Sequence, residues 1–249
     1  MKKLKYGGYC QSCQSELSLP YEAAIPYALK LQADLAKHQR LDFEFPLSNS
    51  NPEWSTHDLF DRIGEMMGVL LCANQAGEQV VLKAYSCTHY NHWHIPGWVG
   101  PVHDSSKYDE IVAEGNRILH PMTDQIKQLE KGSEARVNME KMRKSISQEL
   151  TQRLKDLYWL HNFKGEKELL YNVFNGDHGI SLGTGDCCAP KLLNHAAKEN
   201  LTPISMVEFF WGKTSPDGNR RHQEFYSSCD LRCKPILGFL LCGASHACT

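Results

Sequence analysis

The sequence predicts an α+β fold, a three-layer arrangement of helices flanking a mixed sheet and carrying an antiparallel helical hairpin. Three observations predict it. Apolar runs at 66–73 and 79–85 flank Asn74-Gln75-Ala76-Gly77-Glu78, the composition of a strand hairpin. A helix, strand, helix succession follows at 188–198, 204–211 and 233–241. Between them, residues 107–163 are charged and poor in glycine, with apolar side chains at helical spacing.

Composition sets the outer bounds. A chain of 249 residues fits one sizeable domain or two small ones and buries a core. A hydrophobic share of 41% with 22% charged residues is that of a globular protein. The formal net charge of −2 gives no global attraction to nucleic acid, so any such surface must be a local patch. Met1 to Gly8 carries lysines without the apolar segment of a secretory signal, and the runs 66–73 and 236–242 are too short to span a bilayer. Ten cysteines in a chain with no export signal point to metal ligands or free thiols over disulfides. A cytoplasmic location with no membrane partner is expected.

Taken in order, Cys10-Gln11-Ser12-Cys13 has the spacing of half a zinc site or a redox pair. Its flanks read as neither strand nor helix, so the expectation is two unrelated thiols in a mobile tail. Residues 21–40 read as a helix with Ala24, Tyr27, Ala28, Leu31, Leu35 and Ala36 on one face and Pro26 in its first turn. The run 66–73, apolar on both faces, is the central strand. Residues 89–104 hold His89, His92, Trp93, His94, Trp98 and His103. His92 and His94 could ligate a metal from a strand, but the surrounding Asn, Gly and Pro favour an ordered loop packed by the two tryptophans.

In 107–163, one stripe runs through Ile111, Ile118, Leu119, Met122, Ile126 and Leu129, interrupted near Pro121. A second runs through Met139, Ile146, Leu150, Leu154, Leu157 and Leu160, after a turn at Gly132-Ser133. The domain reading is a core of 1–106 and 164–249 with the hairpin inserted. Lys141, Arg143, Lys144, Arg153 and Lys155 give the hairpin either a solvated face or one turned to RNA. Beyond the glycine loop 176–185, Pro190 suits the first turn of the helix 188–198 and Asp186 suits its N-cap.

The chemistry gathers at the cysteines. Cys187 (with Cys188 as its substitute), Cys229 and Cys233 fall at helix starts, where the backbone dipole favours thiolate. Three thiolates in tetrahedral reach would hold zinc. The competing reading makes them small buried hydrophobes. Ligands at two helix starts joined by a strand resemble the layout of the zinc deaminases, whose signature is a ligand, a catalytic Glu two residues on, then Pro-Cys-x2-Cys. This chain departs at three places: Ala189 stands where that Glu belongs, three residues separate Cys229 from Cys233, and Ser228 replaces the proline. Without the Glu the site lacks a proton carrier. Asp186, one residue before the ligand, is the sole weak catalytic candidate, so the expectation is binding without catalysis.

A closer resemblance covers most of the chain. Residues 95–104, 163–166, 183–193, 201–212 and 221–237, with Phe225-Tyr226, Cys229 and Cys233, resemble the N-terminal extension of certain bacterial RluA-type RNA pseudouridine synthases. The resemblance implies an interrupting helical insertion, proximity to RNA modification, and as partners rRNA or tRNA and a synthase catalytic domain. The synthase's own aspartate motif is missing: Arg40-Leu41-Asp42 is followed by Phe43-Glu44-Phe45 where Thr-Ser-Gly would stand. Pseudouridine synthase (isomerase) activity would therefore belong to a larger protein, of which this is a stand-alone relative or a truncated piece.

Arg220, Arg221, Arg232 and Lys234, with Phe225 and Tyr226 interleaved, form the candidate RNA surface, cations for phosphate beside rings for stacking. The plainer reading is a solvated turn over core aromatics. The leading expectation is a non-catalytic, zinc-binding accessory module of an RNA pseudouridine synthase. The alternatives are a divergent zinc-dependent nucleobase or nucleoside deaminase, and a structural protein without metal.

Overall fold

In the computed structural model, which describes residues 3–244, the chain opens on a hairpin where the sequence suggested a mobile tail. β1 (Tyr6–Cys10) and β2 (Ser15–Leu19) pair antiparallel, with Tyr6 opposite Leu19 and Cys10 opposite Ser15. Gly7 and Gly8 weaken the strand signal in sequence. Packing demands at least the second, since a Cβ on Gly8 would sit 2.2 Å from the Lys234 carbonyl oxygen. Tyr6, Cys10, Leu17 and Leu19 are buried and hold the hairpin to the core.

A short 3-10 turn then leads into α1 (Ile25–His38), which buries Ala28, Leu31, Gln32 and Leu35 and leaves Ala36 exposed. The strands β3 (Glu65–Ala73) and β4 (Gln79–Tyr85) form the expected hairpin. Then come α2 (Ser105–Gln128), α3 (Glu134–Lys155), β5 (Trp159–His161), β6 (Lys167–Leu169) and the single turn α4 (Leu170–Val173). The last elements are α5 (Cys188–Lys198), β7 (Thr202–Trp211), β8 (Phe225–Tyr226) and α6 (Lys234–Leu240).

The main sheet has the order β4-β3-β7-β8, with β3 central as its apolar sequence requires. Every neighbouring pair in it is antiparallel, so the mixed sheet expected from sequence is corrected to an antiparallel one. β8, drawn from the loop after β7, pairs antiparallel with the edge of β7, and among the described residues no strand follows α6.

Alternation along β3 places helices on both faces. Gly68 faces α5, where an added Cβ would meet the Cys188 Cβ at 2.6 Å. Val69 turns to the other face and shares a groove with Leu31 and Asp34 of α1. The α5 residues Leu192, Leu193 and Ala196 are fully buried, each leucine contributing about 1.5–3 kcal/mol. α6 lies beside α5 and against β1.

α2 and α3 run antiparallel. Arg153 donates to both carboxylate oxygens of Glu114 (2.8 and 2.7 Å), and Arg143 Nε to Thr123 Oγ1 (2.8 Å). Asp104 caps α2 and Ser133 caps α3. α2 continues through Pro121, which the stripe had suggested as a break. A proline removes one hydrogen bond, and strong helix formers on both sides carry the helix past it. Ile111, Leu150 and Leu154 form a small core of their own. Tyr158 and Leu160 instead belong to the main core, so the expected boundary at 163 runs inside that core.

Residues 89–104 form an ordered loop. Trp98 is buried and its Nε1 donates to the Leu41 carbonyl (2.8 Å), while Trp93 Nε1 donates to Asp109 (3.1 Å). His92 pairs with Glu53 and His94 with Ser105, so the two do not converge on a metal position. Arg40 and Asp42 form a buried pair 3.5 Å apart that holds the turn after α1. Among the described residues no helix is long and apolar enough to cross a membrane.

Candidate metal centre

Two helix starts build the site. Cys187 is the N-cap residue of α5, and Cys233 is the N-cap residue of α6. Cys229 occupies the turn before α6, where its carbonyl accepts from the amides of Cys233 (3.3 Å) and Lys234 (3.1 Å). This arrangement brings the Sγ atoms of Cys187, Cys229 and Cys233 within 4.8 Å of one another, with Cys229 and Cys233 at 3.4 Å. Tetrahedral thiolates on a zinc ion, with bonds of about 2.3 Å, lie roughly 3.8 Å apart. The cluster is already near that spacing. Cys233 is buried, whereas Cys187 and Cys229 are half-buried and face a cleft.

The electrostatics suit a cation. Hydrogen bonding with the neighbouring Cys187 and Cys233 thiols, joined by the Cys233 and Arg232 amides, pulls the Cys229 thiol well below the usual thiol range. Cys187 and Cys229 push the Cys233 thiol well up, since a second negative charge would sit against the first. A divalent ion removes that repulsion, and three soft donors fit it.

Cys188 is excluded as the substitute ligand. It is fully buried over Gly68, and its thiol donates to the Met66 carbonyl (3.3 Å). Asp186 is corrected too: it caps no helix and does not reach the cleft. Its carboxylate accepts from the Tyr158 hydroxyl (2.9 Å to each oxygen) and lies 3.6 Å from His103 Nε2. Burial pushes the Asp186 carboxyl up to about 6 and His103 down to about 4. The pair anchors the glycine loop to the base of the α2–α3 hairpin.

The acceptor at the start of α5 is Glu208, from the middle of β7. Its Oε1 accepts from the Ala189 amide (2.8 Å), the position where the deaminase pattern carries its Glu. Glu208 is 4% exposed, borders the cleft, and is pushed up to about 7 by burial. Sequence reading passed over it, although a lone acid in Val207-Glu208-Phe209-Phe210 was a usable signal: a buried charge in an apolar strand needs a partner. Lys191 was also missed. It is buried in α5 and its Nζ donates to the carbonyls of Tyr85 (2.8 Å) and Cys87 (3.0 Å), clamping the end of β4 to the helix.

The cleft beside the thiols measures about 1160 Å³ and is bordered by Arg220, Arg221, Arg232, Phe225 and Tyr226. Of the six expected surface residues these five meet there. Lys234 does not: it turns to the neighbouring groove, 3.7 Å from Asp230. Phe225 packs edge-on against Phe209, and the Tyr226 hydroxyl accepts from the Arg221 amide (2.7 Å). Asp217, Glu224 and Asp230 also border the cleft, so its charge is mixed. Comparison of the chain with protein-family models, curated proteins and solved structures found no match.

Proposed function

We propose that the chain is a zinc-binding accessory module that engages RNA beside its metal site. One observation carries the reading: three thiols from two helix starts converge at a cleft that also gathers Arg220, Arg221 and Arg232. Cys187, Cys229 and Cys233 would hold the ion, and bound zinc supplies Lewis acidity at whatever position the thiolates leave open. The arginines pair with phosphate, with Phe225 and Tyr226 beside them for the bases. Association with an RNA pseudouridine synthase rests on the sequence resemblance alone.

Two measurements test this. Protein purified under reducing, chelator-free conditions is expected to contain zinc that Cys229→Ser releases. It is also expected to bind rRNA or tRNA fragments with a salt-dependent affinity. Arg220→Ala with Arg221→Ala should weaken every RNA alike and flatten the log–log salt slope by about 0.7 per lost single-strand contact. No RNA binding at low salt removes the RNA half, and no zinc removes the metal half.

Glu208 favours a second reading, a divergent deaminase. A buried carboxylate bonded to the Ala189 amide could carry a proton from the attacking water to the leaving amine. That reading expects ammonia release from a cytosine or adenine compound, abolished in Glu208→Gln. A broad panel giving none with zinc-loaded protein eliminates it.

A further inference from the structure

We infer that the chain has a second thiolate metal centre, formed by Cys10, Cys13 and Cys242, which ties the N-terminal hairpin to the end of α6. The three Sγ atoms lie within 4.8 Å of one another, and those of Cys13 and Cys242 are 3.3 Å apart. They come from opposite ends of the chain, 229 residues separating Cys13 from Cys242.

The local geometry is that of a metal-binding knuckle. Cys10 and Cys13 frame the β1–β2 turn with the two-residue gap typical of zinc ligand pairs. The Cys13 amide points back at the Cys10 sulfur (3.4 Å), so the turn itself positions that sulfur as an acceptor. Gln14, just beyond, has φ of +54°, which helps reverse the chain into β2. A non-glycine residue in that conformation is uncommon and costs energy that some other interaction must offset.

Two more segments close on the turn. The Phe163 amide donates to the Cys242 carbonyl (3.0 Å), which fixes the β5–β6 turn against the end of α6. From that same turn Lys164 brings its Nζ to 3.7 Å from Cys13 Sγ. An ammonium beside a thiolate group lowers the charge of a sulfur-rich site. Cys10 and Cys242 are buried and Cys13 is exposed, so the site has a dry floor and one open side. Thiolates alone select a thiophilic ion, zinc before the harder divalent metals. Among the described residues no cleft arginine lies here, and the role assigned is structural: α6 begins just after Cys233 of the first centre and ends just before Cys242.

The experiment separates this centre from the first. Full-length protein, Cys13→Ser, Cys229→Ser and the double variant are purified reduced and without chelator, and zinc per chain is measured. The expected result is two ions in the parent, one in each single variant and none in the double. A parent ion lost only in Cys13→Ser retains this centre and refutes the first. An ion lost only in Cys229→Ser does the reverse. Should Cys13→Ser fail to fold, alkylation of the unaltered protein decides. Exposed Cys13 should resist maleimide until a chelator is added, and immediate labelling of Cys13 overturns the proposal. Loss of two hydrogens from a Cys13–Cys242 peptide pair in protein kept reduced also overturns it, since a disulfide would then occupy the site.

Discussion

Cys187 and Cys188 show how one residue's position decides its chemistry. They are sequence neighbours, but Cys187 is the extended N-cap residue and Cys188 the first helical one, so one faces the cleft while the other enters the core. Cys187→Ala is expected to release the metal at little cost to the fold. Cys188→Ala should keep the metal and cost about 1 kcal/mol of stability for the small cavity over Gly68, as read by urea unfolding. The reverse pattern would exchange their roles. Glu208 carries a second expectation at this scale. Glu208→Ala leaves the Ala189 amide buried without its acceptor, costing about 1–3 kcal/mol, whereas Glu208→Gln keeps an oxygen there and should unfold close to the parent. Equal loss in both would mean that the negative charge, and not the hydrogen bond, is what the helix start requires.

At the scale of elements, the sheet and its helices meet through close backbone approaches. A Cβ at Gly238 would lie 2.0 Å from the Tyr9 carbonyl oxygen, with only backbone atoms nearby to yield. Gly238→Ala must therefore push α6 off β1, with an expected cost of about 1–3 kcal/mol and weakened zinc retention at the Cys10 centre. Unchanged unfolding and metal content would show that the two elements are not locked together. The α2–α3 hairpin stands apart, since its tip shares little with the main core. Replacing residues 120–145 by a short glycine-asparagine turn keeps Ile111, Leu150, Leu154 and the Glu114–Arg153 pair. The trimmed protein is expected to retain its zinc and lose no more than about 4 °C in Tm by calorimetry. Collapse of the fold would mean that the hairpin is integral to the domain instead of inserted into it.

Across the whole molecule, what could be read from sequence was what is local. The β3–β4 hairpin announced itself by Asn74 to Glu78, and α5 began and ended where Pro190 and the polar Lys198-Glu199-Asn200 place it. Cys187, Cys229 and Cys233 could be nominated because each sits at or just before a recognisable helix start. The long-range arrangement was not legible. No periodicity reports that β8 would take the edge of β7, or that Cys242 would close on Cys10 and Cys13 from the other end of the chain. The twin glycines of β1 disguised a strand because close packing, of Gly7 against β2 and of Gly8 against the start of α6, overrode local propensity. Asp186 resembled a cap because caps are judged from neighbouring residues, while its partner Tyr158 lies 28 residues away.

X-ray absorption at the zinc edge of the Cys13→Ser protein, expected to retain only the Cys187–Cys229–Cys233 centre, decides whether these three thiolates hold zinc. The expected spectrum is that of one zinc with three sulfurs at about 2.3 Å and one lighter ligand. A shell of nitrogen and oxygen alone, or protein without zinc, would contradict it.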